Sequence, residues 1–125
     1  MTEDYTAPPA PEGLSESGRK LWDDYTSKFE FEEHELALLV EAARVKDRLD
    51  ALDKIIRSEG MTVQSPHGPK AHPALVEARQ QEIVLTRIVA SLRLPDEDDE
   101  RPQRRGGARG AYAARRAYGS LSVGR

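Results

Sequence analysis

Residues 32–59 read EEHELALLVEAARVKDRLDALDKIIRSE, a run without Gly or Pro that is closed by Gly60. Such a run is a long helix with its stop in place, because Gly adopts the left-handed conformation that ends helices without steric cost. Within it Leu38, Ala42, Val45, Leu49, Leu52 and Ile56 recur at spacings of 4, 3, 4, 3 and 4. That is a heptad seam, with a mean period near the ~3.5 residues of supercoiled helices. Leu36, Leu39, Val40 and Ala43 add a second apolar strip at the N-terminal end. A helix apolar on two sides needs two partners, one from its own chain and one that another subunit can provide. Oligomerisation is therefore placed on Leu38, Val45, Leu49, Leu52 and Ile56.

Upstream of this helix, Leu14, Leu21, Trp22, Tyr25 and Phe29 share one helical face and predict a helix over residues 15–29, capped by Ser15 or Ser17. Gly18 near its start weakens that helix slightly. Residues 1–13 carry three Pro and no apolar period, and so predict a disordered, Pro-rich arm.

Downstream, residues 61–73, MTVQSPHGPKAHP, hold three Pro and one Gly after a short β-prone start. They predict a loop or small hairpin, long enough to have a function of its own. Pro73 suits the first position of a third helix, whose face is marked by Leu75, Ala78, Ile83, Thr86, Val89 or Ala90, and Leu92, with Val76, Leu85 and Ile88 widening it until Pro95. The expected fold is all-α: a short N-terminal helix and a long antiparallel helical hairpin over residues 14–95, assembling with other copies. Residues 96–125 show no packable pattern before Ala111 and predict a disordered tail, with room for a short helix around residues 111–118.

Charge is divided unevenly. Residues 1–100 hold all 22 acids and 12 of the 19 Lys and Arg, a net charge of -10, whereas the last 25 hold seven Arg and no acid, a net charge of +7. An acidic body with a basic tail suits a nucleic acid or an acidic protein surface as partner. In the tail, Arg101, Arg104, Arg105, Arg109, Arg115 and Arg116 alternate with Gly, Ala, Tyr112 and Tyr118. That mixture neutralises phosphates and stacks on bases without fixed structure, so these arginines, with Lys70 of the Pro-rich loop, are the DNA-binding candidates.

Other chemistries find little support. With seven aromatic residues in 125, the chain cannot build a large monomeric core, which again favours assembly. The absence of cysteine removes disulfides and thiolate zinc sites. No stretch approaches the ~20 apolar residues of a membrane span, and the start lacks the pattern of a signal peptide, so a soluble intracellular protein is expected. His67 and His72 flank a Gly-Pro turn but have no acidic third ligand in the loop, and they read as ordinary exposed histidines. No metal or cofactor is expected. His34 lies among Glu30, Glu32, Glu33 and Glu35, acids that suit a helix N-terminus. Glu41, Asp47, Asp50 and Asp53 alternate with Arg44, Lys46, Arg48, Lys54 and Arg57 and read as a solvated, ion-paired face. Trp22, on the apolar stripe of the first helix, reads as core.

The order of these pieces resembles the small subunits of phage terminases. In that family a Pro-rich arm leads into Leu-Ser-x-x-(Gly/Ala)-(Arg/Lys)-x-x-Trp, matched here by Leu14, Ser15, Gly18, Arg19 and Trp22. A long helix with an acidic start then ends in Glu-Gly-(hydrophobic)-Thr-Val, matched by Glu59, Gly60, Met61, Thr62 and Val63. The most specific element is Ser-Pro-(Asn/His)-Gly-x-x-x-(Asn/His)-Pro-Ala-Leu, matched by Ser65, Pro66, His67, Gly68, His72, Pro73, Ala74 and Leu75. The likeness spans residues 8–94 and leaves the basic tail outside it. It implies a non-enzymatic subunit that forms a homo-oligomeric ring in the host cytoplasm during phage assembly. Such a subunit binds viral double-stranded DNA and delivers it to the large terminase subunit, which carries the ATPase and nuclease. The alternative is a homodimeric coiled-coil DNA-binding or interaction regulator built on the same seam.

Overall fold

A computed structural model describes residues 5–95 and the backbone of residues 103–104. Three helices dominate: α1 (Glu16–Lys28), α2 (Glu33–Glu59) and α3 (Pro73–Leu92). A two-residue strand, β1 (Phe29–Glu30), joins α1 to α2, and an antiparallel hairpin of β2 (Thr62–Ser65) and β3 (Gly68–Ala71) joins α2 to α3. A last strand, β4 (Gln103–Arg104), pairs parallel with β1. The chain is thus mostly helical with a small sheet at each end of the helical pair. The short strands are the departure from an all-α expectation.

α2 packs most extensively on α3 and next on α1, so both of its apolar sides find partners within one subunit. Leu39 and Ala43 of α2 join Leu14, Trp22 and Leu92 in a buried cluster, with Leu21, Tyr25, Phe31, Leu36, Leu38 and Val40 packed around it. Ala42 and Val45 are also buried, and no residue of α2 beyond Val45 is. The largest buried cluster therefore sits where three helices meet, and beyond α1 the α2–α3 pair continues to the β2–β3 hairpin, with Ala74 and Ala78 of α3 also buried.

How α1 is seated was not visible in its own residues. Ser15 is its N-cap by backbone conformation, but its side chain caps nothing. Asp47 of α2 serves instead: its Oδ2 accepts from Ser15 N–H at 2.7 Å and its Oδ1 from Gly18 N–H at 2.7 Å. The amides of a helix's first turn have no intrahelical acceptor, and they carry the positive end of its dipole, so a carboxylate is well placed there. Asp50 accepts from the Ser17 hydroxyl. These two aspartates therefore bind α1 and do not belong to a solvated face, whereas Arg57 with Asp53 at 2.8 Å and Arg44 with Glu41 at 2.5 Å are exposed pairs as expected. Gly18 is required for the close approach. A Cβ there would lie against the Asp47 carboxylate and 2.6 Å from the Ala43 carbonyl oxygen.

At the start of α2, Glu32 and Glu35 form a reciprocal capping box, with Glu35 Oε1 accepting from Glu32 N–H at 2.7 Å. Glu35 is buried and His34 is exposed, so the acids near His34 do act on the helix terminus.

The expectation of a disordered arm over residues 1–13 is corrected for residues 5–13. They lack helix and strand, yet they are anchored. Trp22 Nε1–H donates to Pro8 O at 2.9 Å, Ala10 packs on the core cluster, and Tyr5 O–H donates to Thr26 O at 2.8 Å and Phe29 O at 3.3 Å. A buried indole N–H needs an acceptor, and the arm provides it. Deleting residues 1–13 should therefore open the Trp22 site: its fluorescence emission should move to longer wavelength and the melting temperature should fall. Burial, and secondarily the charge of Glu30, raise the Tyr5 pKa above its ordinary 10.0. The neutral hydroxyl is thus favoured in the folded chain. Its contribution is complete below the ordinary tyrosine value and is lost as pH rises through the higher folded one. In an alkaline titration followed by Trp22 fluorescence, the wild type should lose arm docking in that window, and Tyr5→Phe should remove that transition.

Candidate functional site

The segment between α2 and α3 folds as a tight antiparallel hairpin. Pro66 and His67 form a two-residue turn between Ser65 and Gly68, and Gly68 takes a φ of +108° that a side chain would disfavour. Ser65 Oγ donates to Gly68 O at 2.5 Å, bracing the turn. In this register Val63 faces Lys70, Gln64 faces Pro69 and Thr62 faces Ala71. His72 N–H then donates to Met61 O at 2.8 Å, adding one more rung.

His72 is not the exposed loop histidine expected. It is 7% exposed and is the N-cap of α3: its Nδ1 accepts from Ala74 N–H at 2.9 Å, and its Nε2 lies 2.7 Å from Glu59 Oε1. Because Nδ1 accepts, the neutral ring carries its proton on Nε2 and donates it to the Glu59 carboxylate. One side chain thus ties the end of α2, the base of the hairpin and the first turn of α3. The imidazole is the capping group in this geometry, since its unprotonated nitrogen offers an acceptor at the required place. His67 is exposed at the turn.

Lys70 projects from β3 as an exposed residue. The backbone of Arg104 pairs with Glu30 at the α1–α2 joint. These positions lie at opposite ends of α3, whose 20 residues span about 30 Å at the usual helical rise. The structure therefore does not gather Lys70 and the start of the tail into one patch. Arg101, Arg105, Arg109, Arg115 and Arg116 lie outside the described residues, as does the helix expected around residues 111–118. The pairing of Gln103–Arg104 with β1 corrects the expectation of an unstructured tail at those two positions.

The oligomerisation candidates divide. Val45, at 2% exposure, is consumed by the subunit's own packing and is not available to another copy. Leu38, Leu49, Leu52 and Ile56 are half-buried. The large apolar groups that remain exposed are elsewhere: Val76, Ile83 and Val84 on α3, Ile55 on α2, and Met61 at the hairpin base. Ile83 is 47% exposed in a shallow depression of about 420 Å³, lined also by Arg79, Glu82, Thr86 and Arg87. Val76 and Ile83 stand seven residues apart, hence on one side of α3, and Arg79 and Arg87 bracket Ile83 at four-residue spacing. The sequence reading used Ile83 as part of the internal face. The 79–83–87 spacing was the signal for an outward one.

Among the described residues, no three of His, Cys, Asp or Glu are grouped to hold a metal ion, and no helix is long and apolar enough to cross a membrane. No family model, curated protein or solved structure matches the chain.

Proposed function

We propose that this chain is a terminase small subunit, a non-catalytic adaptor that assembles into a homo-oligomeric ring, binds viral double-stranded DNA and presents it to the large terminase subunit. The observation that carries the assembly is the set of large apolar side chains that the helical hairpin leaves exposed, Val76 and Ile83 on one side of α3 foremost. Ile55 on α2 and Val76, Ile83 and Val84 on α3 face solvent. Two packed helices cover one side of each other, and a neighbouring copy can cover what remains. Arg79 and Arg87 beside Ile83 suit such a contact, because long basic side chains shield apolar surface while keeping their charge in water.

The sequence motifs supply the DNA and large-subunit roles, and the seven arginines of the tail supply the charge for phosphate contact. A ring would gather many tails about one duplex, so weak contacts would combine through high effective concentration.

The test is native mass spectrometry with a DNA-binding salt series. The wild type should give a closed assembly of more than two copies, and the Val76→Asp/Ile83→Asp variant should give folded monomers, since both sites are exposed in the subunit. Changing Arg104, Arg105, Arg109, Arg115 and Arg116 to Ala should weaken DNA binding and flatten its salt dependence. A strict dimer would favour the homodimeric regulator. An assembly unaffected by the α3 aspartates would reject this interface.

A further inference from the structure

Residues 7–11 read Ala-Pro-Pro-Ala-Pro. Proline fixes its own φ and pushes the residue before it into extended backbone, so this stretch is a polyproline II helix. Burial along the arm keeps that helix's period of three: Tyr5, Pro8 and Pro11 are half-buried, whereas Thr6, Ala7 and Pro9 are exposed, and Ala10 packs beside Pro11 on the core cluster. Such a strand makes no internal hydrogen bonds, so its carbonyls are free to be read from outside. Trp22 Nε1–H reads Pro8 O at 2.9 Å, and the arm returns a donor, Tyr5 O–H, to Thr26 O and Phe29 O where α1 ends and helical partners run out. The spans agree: three polyproline residues advance about 9 Å, and Trp22 to Thr26 and to Phe29 cover about 6 and 10 Å along α1. The arm thus runs antiparallel to α1 in one register, with a donor from each side. It joins the body through a turn at Glu12 and Gly13, both exposed, and Gly13 takes a φ of +95° with nothing within 4 Å of where a Cβ would stand. Beyond the turn Leu14 is buried and Ser15 is held by Asp47, so the arm is a separable unit.

We propose that the side of α1 carrying Trp22 and the Thr26 and Phe29 carbonyls is a recognition site for a polyproline II peptide of pattern Tyr-x-x-Pro-x-x-Pro, and that it receives the arm of a second copy in exchange for its own. The second copy is the occupant because its residues 5–11 carry the matching register and both hydrogen-bonding groups. Exchange repeats every contact of the closed arm and alters only the Glu12–Gly13 turn, the condition under which identical elements swap at low cost. A neighbour in an assembly presents its arm at an effective concentration on the order of mM, as the tether does for the chain's own arm. The exchange rests on the assembly reading; the peptide site does not.

Trp22 is the only tryptophan, so in a mixture its emission reports whichever protein retains it. The acceptor is the full-length chain with Tyr5→Ala/Pro8→Gly/Pro11→Gly, which loses the hydroxyl and the preset helix of the arm, and its Trp22 emission should lie at longer wavelength than in the wild type. The donor is the full-length chain with Trp22→Phe, which keeps the arm and is silent under tryptophan-selective excitation. Circular dichroism checks that each is helical. Adding the donor should return most of the acceptor's emission shift, and a donor that also carries the three arm substitutions should return none. The free peptide of residues 5–11 should do the same at saturation, and its Tyr5→Phe form should need about three- to ten-fold more, the worth of one net hydrogen bond. No shift with saturating peptide overturns the recognition site, and equal affinity for the Tyr5→Phe peptide overturns the register. A shift with the peptide but none with the donor protein overturns the exchange. If native mass spectrometry of the wild type gives monomers, the assembly reading and the exchange both fail, while rescue by the peptide still upholds the site.

Discussion

Gly18→Ala should lower the melting temperature, although helix propensity alone predicts the opposite. Gly costs a helix interior roughly 1 kcal/mol relative to Ala, so propensity expects a gain of about that size. Packing decides the sign. The new Cβ would sit 2.6 Å from the Ala43 carbonyl oxygen, a backbone atom that cannot rotate away, and against the carboxylate that caps α1. Either α1 lifts from α2, or Asp47 moves and releases the amides of Ser15 and Gly18. Overpacking of this kind costs about 1–3 kcal/mol, and an uncapped helix start about 1 kcal/mol more. After subtracting the propensity gain, the net loss is about 1–3 kcal/mol, or roughly 5–20 °C in Tm for a domain of this size. Thermal denaturation followed by circular dichroism measures it. Asp47→Ala, which removes the cap without the clash, should cost less, about 1–2 kcal/mol. A Gly18→Ala protein as stable as the wild type would mean that α1 does not lie this close to α2.

His72→Ala should have an effect of similar size at the other end of the molecule, and His72→Asn should restore most of it. Alanine removes the acceptor for the buried Ala74 N–H and the tie to Glu59, at a combined cost of about 2–3 kcal/mol. Asparagine retains an acceptor for Ala74 N–H but is too short to keep the Glu59 contact, so a loss near 1 kcal/mol is expected. Because Glu59 is largely exposed, its pair with His72 contributes the smaller share. The measurement is chemical denaturation of the three proteins under one condition. Equal loss in the alanine and asparagine variants would show that the ring's volume, and not its acceptor, is what the site requires.

The local sequence determined the three helices to within a residue or two. The uninterrupted run before Gly60, the Pro at the start of α3 and the Trp22 stripe are local signals, and local signals survive folding unchanged. The antiparallel pairing of α2 and α3 was equally legible, since a connection of that length between two apolar helices leaves little else. Only the tertiary structure could decide who covers whom. The seam containing Val45 reads the same whether its partner is another copy or the same chain, because periodicity records that a face is apolar and not what packs on it. Here the subunit's own helices take it, and the unpartnered surface shifts outward to Val76, Ile83 and Val84. Asp47, Asp50 and His72 likewise looked like solvated polar residues, because their partners, the first turns of α1 and α3, are identified by approach in space. For Asp47 and Asp50 that approach spans about thirty residues of sequence. Residues 5–13 follow the same logic: a Pro-rich arm with no periodic pattern has no reason of its own to be ordered, and its order comes from an indole N–H and a helix end that require acceptors and donors from outside.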